Sequence, residues 1–142
     1  MNELQKLVLK YPFRNWNYSK LSENPNITLD FIKENSNVLW LWSSVSKNPS
    51  ITMEDIENNM EYSWKWHSVS RNKNLTIKFV LDHIDKPWNW SLISENENIT
   101  MKNIRDYPNL PWNWRSISYN PNLTPDIVIK NINKEWDFKF LS

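Results

Sequence analysis

Six tryptophans, Trp16, Trp40, Trp64, Trp88, Trp112 and Trp136, stand 24 residues apart, and the other four, Trp42, Trp66, Trp90 and Trp114, each follow a middle member by two residues. A fixed short period means that one supersecondary unit is copied along the chain, each copy burying its apolar face against the next rather than in a central core. The register divides the chain into five full units, 16–39, 40–63, 64–87, 88–111 and 112–135, with half units at 1–15 and 136–142. A chain of 142 residues accommodates these as one domain.

With the first Trp as position one, position three is Tyr18, Trp42, Trp66, Trp90, Trp114 or Phe138. Position six is always aliphatic, position seven always Ser and position nine always Asn (Asn24, Asn48, Asn72, Asn96, Asn120). Position twelve is Ile or Leu, position thirteen is Thr (Thr28, Thr52, Thr76, Thr100, Thr124), and position seventeen is Ile or Val.

Two short helices per unit explain this pattern. Helices begin at a Ser, Thr, Asp or Asn cap, with an apolar residue before the cap stapled to one five places on. In the second half of each unit Thr28, Thr52, Thr76, Thr100 and Thr124 are the expected caps, stapled as in Ile27 with Ile32. In the first half the position-one Trp staples to position six, across a cap that is Asn17, Asn89, Asn113 or Asp137 in four of six copies.

With no Gly in the chain, Asn is the next choice for a positive-φ helix end. Asn at position nine is expected to close the first helix, and Asn35, Asn59 and Asn131 at position twenty the second. Helices of about six to eight residues are unstable alone, so stacking must hold them. All ten tryptophans, Trp16, Trp40, Trp42, Trp64, Trp66, Trp88, Trp90, Trp112, Trp114 and Trp136, are expected in that stack, and the small Ser at position seven lets helices approach.

The motif W-N-W-x-x-I-S-x-N-x-N-I-T at Trp88 to Thr100, repeated with one Leu for Ile at Trp112 to Thr124, resembles repeat proteins of giant DNA viruses of the Mimivirus type. The 22 Asn and the absence of Ala agree with such a source. The unit is also similar to the leucine-rich repeat variant, a 24-residue helical repeat, with Thr124-Pro125 its closest match. Ser stands where that repeat usually has Ala, and Trp where it has other apolar residues. The resemblance implies an all-α, right-handed superhelical α-solenoid of short α- and 3₁₀-type helix pairs, in a virion or in the host cytoplasm, and brings no catalytic residue.

The chemistry of the remaining residues is consistent with a binding protein. Seventeen Lys and Arg against sixteen Asp and Glu give a net charge of +1, which predicts no strong attraction to nucleic acid or to acidic membranes. Without Cys there is no disulfide or thiolate chemistry, and the run Leu7 to Leu9 is too short for a signal peptide or a membrane span. His67 and His83 lie at unrelated repeat positions with no metal-binding spacing, and no glycine loop exists for phosphate, so no catalytic residue, metal or cofactor is expected.

Invariant positions stack and variable ones are displayed. Lys20, Lys47, His67, Arg71, Glu95, Arg115 and Tyr119 are therefore the candidate surface for a protein partner, in a noncatalytic scaffold. The alternative is a single-stranded nucleic-acid-binding solenoid that stacks bases on its Trp rings. End-to-end self-association through Trp136 and Phe138 is a further expectation.

Overall fold

The computed structural model describes residues 1–142, and its regular structure is helical, with no strand. In chain order the helices are α1 (Glu3–Lys10), α2 (Tyr18–Ser22), α3 (Leu29–Glu34), α4 (Trp42–Val45), α5 (Met53–Glu57), α6 (Trp66–Val69), α7 (Ile77–Asp82), α8 (Trp90–Glu95), α9 (Met101–Asp106), α10 (Trp114–Ile117), α11 (Pro125–Lys130) and α12 (Phe138–Leu141). Each full unit holds one even-numbered helix followed by one odd-numbered helix, while α1 and α12 stand in the half units.

Several helices are shorter than the pattern predicts: α4, α6, α10 and α12 have only four residues. After each even-numbered helix of a full unit the chain tightens, the N–H of the position-nine Asn reaching the carbonyl three residues back, as in Asn48 to Val45 (3.0 Å) and Asn120 to Ile117 (2.9 Å). That i→i+3 closure stops the helix where another α turn would be needed to lengthen it.

The expected starts are largely present. Thr28, Thr52, Thr76 and Thr100 each accept a hydrogen bond from the backbone N–H three residues on, and Thr52 and Thr100 complete capping boxes with Asp55 and Asn103. Asn17, Asn89, Asn113 and Asp137 cap the even-numbered helices that follow them, whereas Leu41 and Lys65 contribute no side-chain cap. Thr124 departs from the expectation: it occupies the cap position of α11 without bonding a helix N–H. Pro125 presets the first turn there.

The ends of the helices need correction. No residue has positive φ, so no Asn works as a left-handed cap. At position nine the Asn side chain is a fastener. Asn120 Nδ2 donates to the carbonyls of Ser94 (2.9 Å), Asn96 (3.2 Å) and Ile99 (3.0 Å), all in the preceding unit, while its Oδ1 accepts from the N–H of Asn122 at 2.8 Å. Asn48 holds the carbonyls of Ser22, Asn24 and Ile27 in the same way, Asn72 those of Ser46, Asn48 and Ile51, and Asn96 those of Ser70 and Asn72. These four asparagines are buried. Buried carbonyls left unpaired cost about 1–3 kcal/mol each, so a donor is required, and a carboxamide supplies two N–H groups and an acceptor on one short stem.

Position seven works across the same boundary. The hydroxyls of Ser22, Ser46, Ser70, Ser94 and Ser118 accept from the backbone N–H groups of Leu41, Lys65, Asn89, Asn113 and Asp137 at 2.9–3.0 Å. Ser70 and Ser118 also donate back one turn, to Trp66 and Trp114. At position twenty, Asn35 and Asn131 are the C-caps of α3 and α11 and Asn59 stands one residue beyond the Asn58 cap of α5; each donates from Nδ2 to the carbonyl four residues back, at 2.7–2.9 Å.

Apolar packing follows the same path. Twenty-five buried apolar residues form one continuous cluster from Val8 to Trp136. Both members of the position-twelve and position-seventeen pair are buried in the first four full units, while Leu123 and Val128 of the last are only partly so. Every position-one Trp donates its indole N–H to the carbonyl five residues earlier, at 2.8–3.1 Å. In four of the six the ring meets the position-three ring of the preceding unit edge to face, Trp42 with Trp64, Trp66 with Trp88, Trp90 with Trp112 and Trp114 with Trp136, at centroid distances of 5.0–5.5 Å, while Trp40 meets Phe31 at 6.0 Å. Such pairs add about 0.5–1.5 kcal/mol beyond their area.

Candidate partner-binding surface

Once Trp, Ser and Asn are committed to neighbouring units, the displayed side chains are those between them. Lys20, His67, Arg71, Arg115 and Tyr119 are exposed, and Lys47 and Glu95 half-buried. They belong to different units, and the structure gives them different circumstances.

Four of the seven are tied to an adjacent unit. Lys47 Nζ pairs with Glu23 at 2.8 Å, joining equivalent positions of consecutive units. His67 Nδ1 lies 3.1 Å from Asn89 Nδ2 of the next unit. Arg115 lies 3.6 Å from Asp137, and the Tyr119 hydroxyl donates to the same carboxylate. That hydrogen bond, more than any other contact, holds the Tyr119 phenol above and the Asp137 carboxyl below their usual ranges. The backbone N–H of Phe140 and the Arg115 charge lower Asp137 further.

Lys20, Arg71 and Glu95 make no ion pair and no side-chain hydrogen bond. Of these, Arg71 and Glu95 come together: with Lys73, Leu92, Asn96, Glu97 and Pro121 they line an open hollow of about 320 Å³ across three consecutive units. Lys73 and Glu97 were not singled out by sequence reasoning. A signal for them exists, because position ten is Pro25, Pro49 and Pro121 in the outer units and charged only in these two.

Other charged side chains tie units together. Glu57 meets His83 Nε2 at 2.5 Å and Lys33 donates to Asn59 Oδ1 at 3.0 Å, so position eighteen reaches position twenty of the next unit twice. Arg105 approaches Asp126 at 3.4 Å; the Thr124 hydroxyl, helped by the Asp126 backbone N–H and by Arg105, keeps that carboxyl below its usual range. Lys78 is raised by its bond to Asp82 within α7. Exposed pairs of this kind are screened by solvent and contribute little to stability.

The aromatic rings are engaged with one another. The position-one rings are buried apart from the half-buried Trp16, and the position-three rings are half-buried apart from the exposed Phe138. Trp42 carries Tyr62 stacked at 5.0 Å, Trp66 carries Phe79 and His83 at 6.4 Å, and Lys86 and Lys134 sit 5.6 Å over Trp66 and Trp114. Trp136 is also buried, so an end-to-end contact has Phe138, not Trp136, at its disposal.

No cluster of three or more His, Asp or Glu side chains is placed to hold a metal ion, and no helix is long and apolar enough to cross a membrane. No family model, curated protein or solved structure matches this chain.

Proposed function

We propose that this protein is a noncatalytic interaction scaffold: a right-handed superhelical α-solenoid of 24-residue units that presents one long surface to a protein partner. The resemblance of the W-N-W-x-x-I-S-x-N-x-N-I-T unit to repeat proteins of giant DNA viruses supports a role in the virus particle or the infected cell's cytoplasm.

The observation that carries the reading is the division of labour among side chains. The recurring Trp and Ser, and the Asn of the inner units, are spent on the neighbouring unit, whereas Arg71, Lys73, Glu95 and Glu97 surround a hollow without pairing with one another. Unpaired charges of both signs beside the apolar Leu92 and Pro121 suit a partner that brings opposite charges in a fixed order, which confers specificity and speeds encounter. The engagement of the Trp faces supports a protein partner over stacked nucleobases.

The test combines shape and capture. Stacked helices add about 8–10 Å per layer, so small-angle scattering is expected to show an elongated monomeric unit; a sphere would overturn the solenoid. Affinity capture from infected cells and purified particles is expected to retain a protein that is lost with Arg71→Glu/Glu95→Lys. Retention unchanged by that double substitution, or salt-dependent binding to single-stranded RNA in its place, would overturn the partner surface.

A further inference from the structure

We infer that the hollow between units 64–87 and 88–111 receives a short extended segment of the protein partner whose charges are sorted into two blocks, acids over Arg71 and Lys73 and bases over Glu95 and Glu97. The inference rests on the partner-surface reading above and adds to it the form and charge order of what binds.

The hollow is where the repeat is broken. Position ten is Pro25, Pro49 or Pro121 elsewhere and Lys73 or Glu97 here, and position five, which is Ser44, Ser68 and Ser116 in three other full units, is Leu92. Leu92 is half-buried and stands outside the continuous core. The helix that carries it also departs: α8 runs for six residues and brings Glu95 into its last turn, whereas α4, α6 and α10 have four. Backbone fastening is lighter at the same joint. The carbonyls of Ile27, Ile51 and Ile99 each accept from two side chains of the following unit, and the equivalent carbonyl of Leu75 accepts from no protein donor. Stacking asks for none of these changes, since the neighbouring joints stack without them, and Lys73, Leu92 and Glu97 all line one opening of about 320 Å³.

Position eight supplies the contrast that identifies the charges of the ligand. Glu23 and Lys47 occupy it in consecutive units and pair at 2.8 Å, while Arg71 and Glu95 stand in the same relation unpaired. Each has a like charge two residues on, Lys73 and Glu97, so the hollow has a basic bank in one unit and an acidic bank in the next. A uniformly acidic chain, nucleic acid included, loses at the second bank what it gains at the first, and a uniformly basic chain does the reverse. Only a segment that changes sign along its length gains at both. Stacked layers are about 8–10 Å apart and an extended chain advances about 3.3 Å per residue, so the change of sign takes about three residues. An opening of about 320 Å³ admits a few extended residues and not a helix about 10–12 Å across. The residue between the two blocks meets Leu92 and Pro121 and is apolar.

The experiment is nuclear magnetic resonance titration of the 142-residue chain with two acetylated, amidated peptides of one composition, Asp-Glu-Leu-Arg-Lys and Asp-Arg-Leu-Lys-Glu. The first is expected to shift the backbone amides of Arg71, Lys73, Leu92, Glu95 and Glu97 and to bind about fivefold more tightly than the second, in which the charges are not sorted end to end. Arg71→Glu/Lys73→Glu, at two exposed side chains, is expected to abolish that preference and to admit Arg-Lys-Leu-Lys-Arg in its place. Leu92→Ser puts back the residue of the other units, so the far-ultraviolet helical signal is expected to persist while the first peptide binds about threefold more weakly. No binding of either peptide at millimolar concentration, equal affinities for the two, or shifts confined to another part of the chain would each overturn the inference. So would a preference that survives Arg71→Glu/Lys73→Glu, or an affinity unchanged in Leu92→Ser. Failure here is separable from failure of the partner surface. Equal peptide affinities with capture still lost in Arg71→Glu/Glu95→Lys remove the charge order alone, and capture indifferent to that substitution removes both.

Discussion

Unit 88–111 and unit 112–135 share nearly the same motif, yet Ile99 and Ile104 of the first are buried while Leu123 and Val128 of the second are half-exposed. The same contrast runs the other way at the opposite end: Asn120 grips three carbonyls of its predecessor, and Asn24, with the same backbone turn, grips none. Burial and hydrogen bonding at a given position are thus supplied by the adjacent unit. A residue's energetic weight here depends on where its unit stands in the row, as expected when stability is a sum of nearest-neighbour terms.

The sharpest way to break this comparison is with tryptophan. Trp112→Ala, at a buried ring with its N–H bonded, is expected to cost about 3–5 kcal/mol, and Trp16→Ala, at a half-buried one, less than half of that. Equal losses in urea denaturation would mean that position in the row does not matter. Asn120→Ala comes next: stranding several buried carbonyls is expected to cost on the order of 3 kcal/mol, against about 1 kcal/mol for Asn24→Ala, which loses only its turn bond. Ile99→Ala is expected to cost about 2–4 kcal/mol and Leu123→Ala about 1 kcal/mol.

Caps give a smaller contrast. Thr100→Ala is expected to cost about 1 kcal/mol and Thr124→Ala much less, since Thr124 bonds no helix N–H.

The smallest effect is one of pH. Asp137 is held below its ordinary range, so its contribution is present above that range and is lost as pH falls through the lowered folded value. Tyr119 is raised, so its share is present below the ordinary phenol value and is lost as pH rises through the raised one. Phenolate absorbance is expected to show Tyr119 titrating at lower pH in Asp137→Asn than in the wild type; no change there would remove the Tyr119–Asp137 bond.

Much of the architecture was legible from residue types alone. Ile27 with Ile32 and Thr28 before α3 announce a stapled, capped helix because cap and staple are local, confined to six consecutive residues. The role of Asn at position nine was not legible. A left-handed cap and a cross-unit fastener both ask for Asn, and only the folded structure shows that its φ is negative and its carboxamide is aimed at the preceding backbone. The surface was legible only in part for a related reason: Arg71 and Glu95 are brought together by stacking, a contact between units, whereas Lys73 and Glu97 betray themselves only as replacements of a Pro.

The asparagine fasteners have a consequence for how this chain tolerates changes of length. Each Nδ2 addresses main-chain oxygens, which every residue type possesses, so the grip is indifferent to the side chains of the unit it holds. Inserting or deleting a whole block of 24 residues leaves every grip in phase, while a single added residue anywhere between two position-nine asparagines misaligns the carbonyls on one side of it. The molecule is therefore built to be respliced in modules, as a chain of identical links can be lengthened without redesigning any link.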